Sequence, residues 1–443
     1  MTVNNLPKRI SGAIINSFTT GVVPRIGLEY VTVGRKNEIG ALLGDLHTIE
    51  EGGAAFRFII GKYGSGKSFL LQLMRNHAME RGFVVLDADL SPDRRFYGSN
   101  GQGLATYREL VSNLSTKAKP DGGALPLLIE RWILAVQNEL VQQDGLVPSA
   151  PDFPAAVEKR IFDKISQMEG MIHGFDFAKV LHLYYKAYME GLEDTKTAVM
   201  KWLRGEYATK TEARKDLGVN HIISDETWYD YLKLLSRFTV LAGYKGLLVL
   251  IDELVNLFKI PQSITRQNNY EKILTIFNDT MQGKASYIGF FMGGTPQFLE
   301  DGRRGIYSYE ALRSRLEVGR FAQEQYRDLQ APVLRLNTLS NEELYLLVER
   351  LSEIHAMHYQ YTPRLTKEDL LSFITIEWNR MGADRHITPR EIVRDFLEVL
   401  NILYQNPAFT IDTLFAGSGF DFHKPAPEQG EEAVSEEFAE FEL

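Results

Sequence analysis

Residues 57–74, "RFIIGKYGSGKSFLLQLM", match G-x-x-x-x-G-K-[ST] at every fixed position. Before the motif, residues 56–60 are a β-branched and aromatic run that reads as a buried strand. After it, Leu70, Leu71, Met74 and Ala78 share one face of a predicted helix that stops at Gly82. A glycine-rich turn between a strand and a helix lets successive amides point at phosphates. The helix N-terminus adds its partial positive charge. The predicted contact set is Gly61, Tyr63, Gly64, Ser65, Gly66, Lys67, Ser68 and Phe69. Lys67 would reach the β- and γ-phosphates, and Ser68 would be a Mg²⁺ ligand.

Working outward, "GFVVLDADLS" (82–91) is a second strand one helix later, which makes a βαβ unit and a parallel sheet. Asp87 and Asp89 fall near its carboxyl end, on the side where such sheets hold ligands, and take no assigned role. In "GYKGLLVLIDELVNLF" (243–258) an apolar strand over 247–251 runs into Asp252-Glu253. That pair could cap the next helix. With a phosphate loop upstream, Asp252 is expected to hold the Mg²⁺ water shell and Glu253 to orient and deprotonate the attacking water. Hydrolysis of the bound nucleotide is the expectation. Further strands lie in "ASYIGFFMGGTPQFLED" (285–301), with Thr295 just past the strand, and in "PVLRLNTLS" (332–340). Five strands separated by helices predict an α/β fold.

The expected organisation is an N-terminal segment over 1–32, a nucleotide-binding core over 33–340, a helical lid over 341–405 and an extension over 406–443. Residues 106–238 read as a long helical insertion in the core and as the place for a partner surface. Its mixed aromatic and basic segments, "LHLYYKAYME" and "KWLRGEY", suit nucleic acid in principle, and amphipathic packing explains them more simply. His355 and His358 stand one helical turn apart with Glu353 off that face, so they read as a solvated helix face and not a metal site.

Composition narrows the class. The 44 % apolar and 24 % charged content is that of an ordinary globular protein, and the absence of cysteine excludes disulfides, thiolate metal sites and cysteine nucleophiles. No apolar run approaches 18 residues and the start lacks a signal-peptide core, so a cytoplasmic protein without membrane partners is expected. The formal charge is −9, but seven glutamates lie in the last 17 residues, leaving the rest near −2 and without a global basic field. That tail, with Phe438 and Phe441 among its glutamates, reads as disordered and solvating.

Together these elements resemble the AAA+ P-loop ATPases, in particular the branch that holds replication initiators and STAND-type enzymes. "VGRKNEI" (33–39) looks like that branch's GR-x-x-E box beside the adenine, through Gly34, Arg35 and Glu38. Thr295 falls where the sensor-1 residue belongs. "LRSRLE" (312–317) looks like the box whose arginine reaches a neighbouring subunit's γ-phosphate, which implies Arg315, with Arg313 as second choice. "GADRHITPREIV" (382–393) resembles the sensor-2 turn, implying Arg385 first and Arg390 second. The wider layout, including "GKYGSGKSFLL", "WLRGEY", "GYKGLLVLIDE" and "DRHITPREIVRDFLEVL", is similar to the ATP-binding proteins of BREX phage-defence islands over most of residues 20–402.

The resemblance implies an ATP- and Mg²⁺-dependent ATPase with an AAA+ core and a lid. It would form a homo-oligomer and work with other defence-system proteins, such as a helicase, around phage DNA. The tail leaves no room for a winged helix after the lid, so autonomous sequence-specific DNA binding is not expected. The alternative is a STAND-type nucleotide-gated switch with slow hydrolysis. A nucleotide kinase is opposed by the long gap before Asp252.

Overall fold

The computed structural model describes residues 6–319, 327–381 and 388–416. It divides into two units, Arg35–Asn337 and a smaller one that joins Met1–Gly34 to Thr338–Leu443.

In the larger unit, β1 (Ala54–Ile60), β2 (Val84–Asp89), β3 (Leu247–Asp252), β4 (Ile288–Gly294) and β5 (Val333–Arg335) form one sheet in the order β2-β3-β4-β1-β5. Every pairing is parallel. Parallel sheets need both faces covered, and β1, β3 and β4 are correspondingly near-continuous apolar runs that are buried along their length. All five strands read from the sequence are present. Their order was not legible, because β1 takes as neighbours the two strands furthest from it along the chain.

Helix Lys67–Glu80 carries the chain from β1 to β2, with Leu70, Leu71, Leu73, Met74 and Ala78 buried. Seven helices, from Gln102–Ser112 to Trp228–Leu241, separate β2 from β3. Their apolar faces merge with the sheet into one core around Trp132, Trp202, Trp228, Tyr184 and Tyr231. Tyr184, Tyr185, Trp202 and Tyr207 are all buried, so the aromatic and basic segments of this region spend those rings on packing.

The loop after β2 is held from both sides. Buried Asn269, on helix Ser263–Met281, accepts from the amides of Phe96 (2.9 Å) and Tyr97 (3.0 Å) and donates to the Tyr97 carbonyl. Asp225 accepts from the amides of Gly98 and Leu104, and the Trp228 indole donates to the Phe96 carbonyl.

In the smaller unit, helix Lys8–Thr19 packs on Asn341–Tyr359 and Pro389–Gln405. Capping boxes start both of the latter, Ser340 with Glu343 and Thr388 with Glu391. Gly34 sits at φ 61°, and a Cβ there would fall 2.0 Å from a Glu343 carboxylate oxygen. Only glycine allows that approach. The two-histidine helix face needs correction. His355 is fully buried, bonded to Tyr361 and Asn401, while His358 meets Ser11 at 2.9 Å. The N-terminal helix covers this face, which the local spacing of residues 353–358 could not reveal.

Replacing Asn269 with alanine would strip two loop amides of their acceptor, at a cost of about 3 kcal/mol. Urea denaturation should show that loss, whereas Gln72→Ala, on a partly exposed helix position, should stay within about 0.5 kcal/mol of wild type.

Candidate functional site

The loop 61–66 leaves β1 and enters helix Lys67–Glu80. Its shape depends on glycine. Gly64 (φ 69°) and Gly66 (φ 91°) adopt the left-handed region, and a Cβ on Gly61 would come within 2.3 Å of the Ser65 hydroxyl. A Cβ on Gly66 would meet nothing within 4 Å, so it is the backbone turn and not crowding that selects glycine there. The Gly61 amide donates to the Gly294 carbonyl, tying the loop to the end of β4. Lys67 Nζ donates to the carbonyls of Gly61 and Lys62, both at 2.9 Å. Ser65 Oγ is buried without a partner. An orphaned hydroxyl inside a turn of left-handed glycines at a helix N-terminus fits a phosphate group. Tyr63 is half exposed on the loop and Phe69 is partly buried on the helix.

Two strands away, β3 delivers the carboxylates. Ser68 Oγ donates to Asp252 Oδ2 at 2.5 Å, and the Glu253 amide donates to Asp252 Oδ1 at 2.8 Å. Glu253 itself stands at φ 61°, a left-handed conformation that costs a non-glycine residue on the order of 1 kcal/mol or more. The intervening strand leaves space for this arrangement. A Cβ on Gly293 would lie 2.2 Å from Asp252 Oδ1, so glycine at the end of β4 is a condition of the Ser68–Asp252 contact. Thr295, at the same strand end, caps helix Pro296–Glu300 by accepting from the Phe298 amide.

The electrostatics follow from this geometry. Burial lowers the pKa of Lys67, opposed by the nearby charges of Asp252 and Glu253. Asp89, opposite Asp252 in the β2–β3 register, is raised to about 6. Loss of solvation acts first, then the like charges of Asp252, Glu253 and Asp87, although the residue keeps a solvent-facing edge. Asp87 is differently placed, in an ion pair with Arg75 at 2.9 Å.

Arg35, at φ 57°, donates to the carbonyls of Ser65 and Asn337, so it braces the phosphate-side loop against the end of β5. Its neighbour Glu38 is pushed up by burial. The hydrogen bond and charge of Arg327, with the charge of Arg35, outweigh that and leave its pKa lowered. Arg315 lies exposed on helix Glu310–Leu316 and donates to the Ala311 carbonyl of its own turn, whereas Arg313 pairs with Glu317. Arg390 is in the first turn of Pro389–Gln405, with its guanidinium over Gly21. Arg385 lies outside the described residues. Sequence reasoning passed over Gly293 and left Asp89 without a role. The "GG" closing β4 was a visible signal for the first, and the second needed the sheet order.

The profile of the family described as BREX system ATP-binding protein BrxC/D matches residues 6–418, nearly the whole chain. The chain belongs to the BREX ATP-binding protein BrxC/D family. No curated protein matches the sequence. Family membership gives the chain its nucleotide, ATP, and places it among the components of a BREX defence system. Among the described residues no helix is long and apolar enough to cross a membrane.

The raised pKa of Asp89 sets a pH dependence. Between the ordinary aspartate value of 3.8 and about 6 the folded chain holds a proton that the unfolded chain has released, so stability falls as pH rises through that window. Asp89→Asn should therefore melt with wild type near pH 4 and above it at pH 7, in thermal scans without Mg²⁺ or nucleotide.

Proposed function

We propose that this chain is a cytoplasmic, Mg²⁺-dependent AAA+ ATPase that hydrolyses ATP and couples turnover to assembly or remodelling of a DNA-associated defence complex. The observation that carries this reading is the 2.5 Å contact from Ser68 to Asp252, with Glu253 as the very next residue. A loop that only held phosphate would need neither carboxylate. In this reading the amides of residues 64–68 and the Lys67 ammonium bind the β- and γ-phosphates. Ser68 and Asp252 would hold Mg²⁺, which would supply positive charge against the negative charge that develops on the phosphates. Glu253 accepts a proton from the attacking water, and its strained backbone supports a functional rather than a structural role. Thr295 contributes a hydroxyl at the end of the strand between the loop and the carboxylates.

An arginine that completes a site from outside must be free of carboxylates at home. Among the described residues Arg315 meets that condition and Arg313 does not. This supports Arg315 as the residue donated to a neighbouring copy, and so a homo-oligomer as the working form. Other BREX proteins, a helicase among them, are the proposed partners in the remodelling step.

Steady-state ATP hydrolysis over a range of protein concentrations tests the reading. Wild type should turn over ATP at a specific rate that rises with concentration, and Arg315→Ala should abolish that rise. Glu253→Gln should keep ATP affinity and lose turnover by about 100-fold or more. Glu253→Gly should be equally inactive and yet melt higher than Glu253→Gln, because glycine relieves the left-handed strain. Unchanged turnover in Glu253→Gln would sink the hydrolytic assignment.

A further inference from the structure

Three tyrosines and two histidines converge on one face of the smaller unit. Tyr359 closes helix Asn341–Tyr359, Tyr361 follows two residues later, and Tyr404 lies near the end of helix Pro389–Gln405. The Tyr359 and Tyr404 rings stack at 4.8 Å with planes 29° apart, and Tyr361 lies 5.3 Å from Tyr404 at 30°. The Tyr404 ring is therefore tilted by about 30° to each of the other two.

The stack is braced from below. His355 is fully buried, 4.7 Å from the Tyr359 ring and 5.7 Å from that of Tyr361. Asn401 Oδ1 can only accept, so His355 Nε2 carries the proton at 3.2 Å, and Nδ1 accepts the Tyr361 hydroxyl at 2.8 Å. Burial lowers the His355 pKa and raises that of Tyr361 to about 12, so the neutral imidazole and the protonated phenol that this bond needs both persist at neutral pH. From above, the same rings are open. Tyr359 is 36 % exposed and Tyr404 42 %.

Cations stand at both ends. Exposed Arg364 acts on Tyr361, after burial, and exposed Lys8 acts on His358, whose ring is 4.8 Å from Tyr359. Among the described residues no carboxylate acts on Tyr361, His355 or His358. Exposed aromatic rings between two positive charges suit flat rings strung on phosphates.

We propose that the Tyr359–Tyr404–Tyr361 stack, flanked by Lys8 and Arg364, is a platform on which the bases of single-stranded nucleic acid stack. It goes beyond the ATPase reading and does not rest on it, so the test is run without nucleotide. Fluorescence anisotropy of a labelled thymidine oligonucleotide of about 16 residues, against a duplex of the same length, reads binding by the full chain. Wild type should prefer the single strand and weaken as salt rises. Tyr359→Ala with Tyr404→Ala should weaken binding by about 30-fold or more, whereas the matching Phe pair should bind as wild type, because the ring and not the hydroxyl carries stacking. Should the alanine pair melt early, Tyr404→Ala alone carries the same test, since that ring is the most exposed of the three. No binding by wild type, equal binding by the alanine variants, or equal loss in the Phe pair each overturns the platform. Equal binding by the alanine variants would hand the face to a protein partner.

Discussion

One hydrogen bond, from Ser68 at the head of a helix to Asp252 at the tip of β3, sets the terms for the rest of the larger unit. The two residues belong to elements that start from strands with another strand between them. Reaching across β4 is feasible only if its end carries no side chain, and Gly293 meets that demand. The chain must then turn sharply after Asp252, since its carboxylate is already accepting the amide of the next residue. Glu253 absorbs that turn in a left-handed conformation, and the Leu254 amide closes it on the Gly293 carbonyl. Strain at Glu253 and the missing side chain at Gly293 are two consequences of one contact.

Charge follows the same contact. Bringing Asp252 beside Ser68 also places it opposite Asp89 in the sheet register, and the three carboxylates at these strand ends repel. Lys67 partly compensates, but its own burial works against its charge. The site is thus electrostatically unfavourable to its own folded state, and a cation with phosphate would relieve both sides at once. Binding surfaces are often built on such local cost, which the surrounding core must cover. Here the covering comes from a sheet buried on both faces and fused with the aromatic core of the seven-helix region.

How much of this was legible follows from the range of each signal. Residues 57–74 and 247–253 announce themselves, because motif, strand and helix are contiguous in sequence and local chemistry decides them. Two helices of the smaller unit also open on local signals, the capping boxes of Ser340 with Glu343 and Thr388 with Glu391, which were passed over in the sequence. What stayed hidden depends on distant partners. His355 looked solvated until Tyr361 and Asn401 closed on it. Asp89 looked idle until Asp252 was set opposite it. Arg35, read beside the adenine through a resemblance, braces the loop's own carbonyl and the end of β5. In each case the residue type was right for a polar role and the partner, not the pattern, decided which.

The long helical region between β2 and β3 is not a loosely attached ornament. Its Asp225 accepts the Gly98 amide from the loop that follows Asp89, and its Trp228 donates to the Phe96 carbonyl there. Asn269, on the helix that follows the Asp252-Glu253 turn, holds the same loop from the other side. Asn256, in that turn itself, donates to the Leu90 carbonyl. Bonds to a carboxylate such as Asp225 are worth about 1.5–3 kcal/mol each. Moving the helical region against the strand ends would break the Gly98–Asp225 bond, with that from Trp228 to Phe96, and orphan the buried Gly98 amide. The loop therefore ties the ends of β2 and β3 to the base of the seven helices.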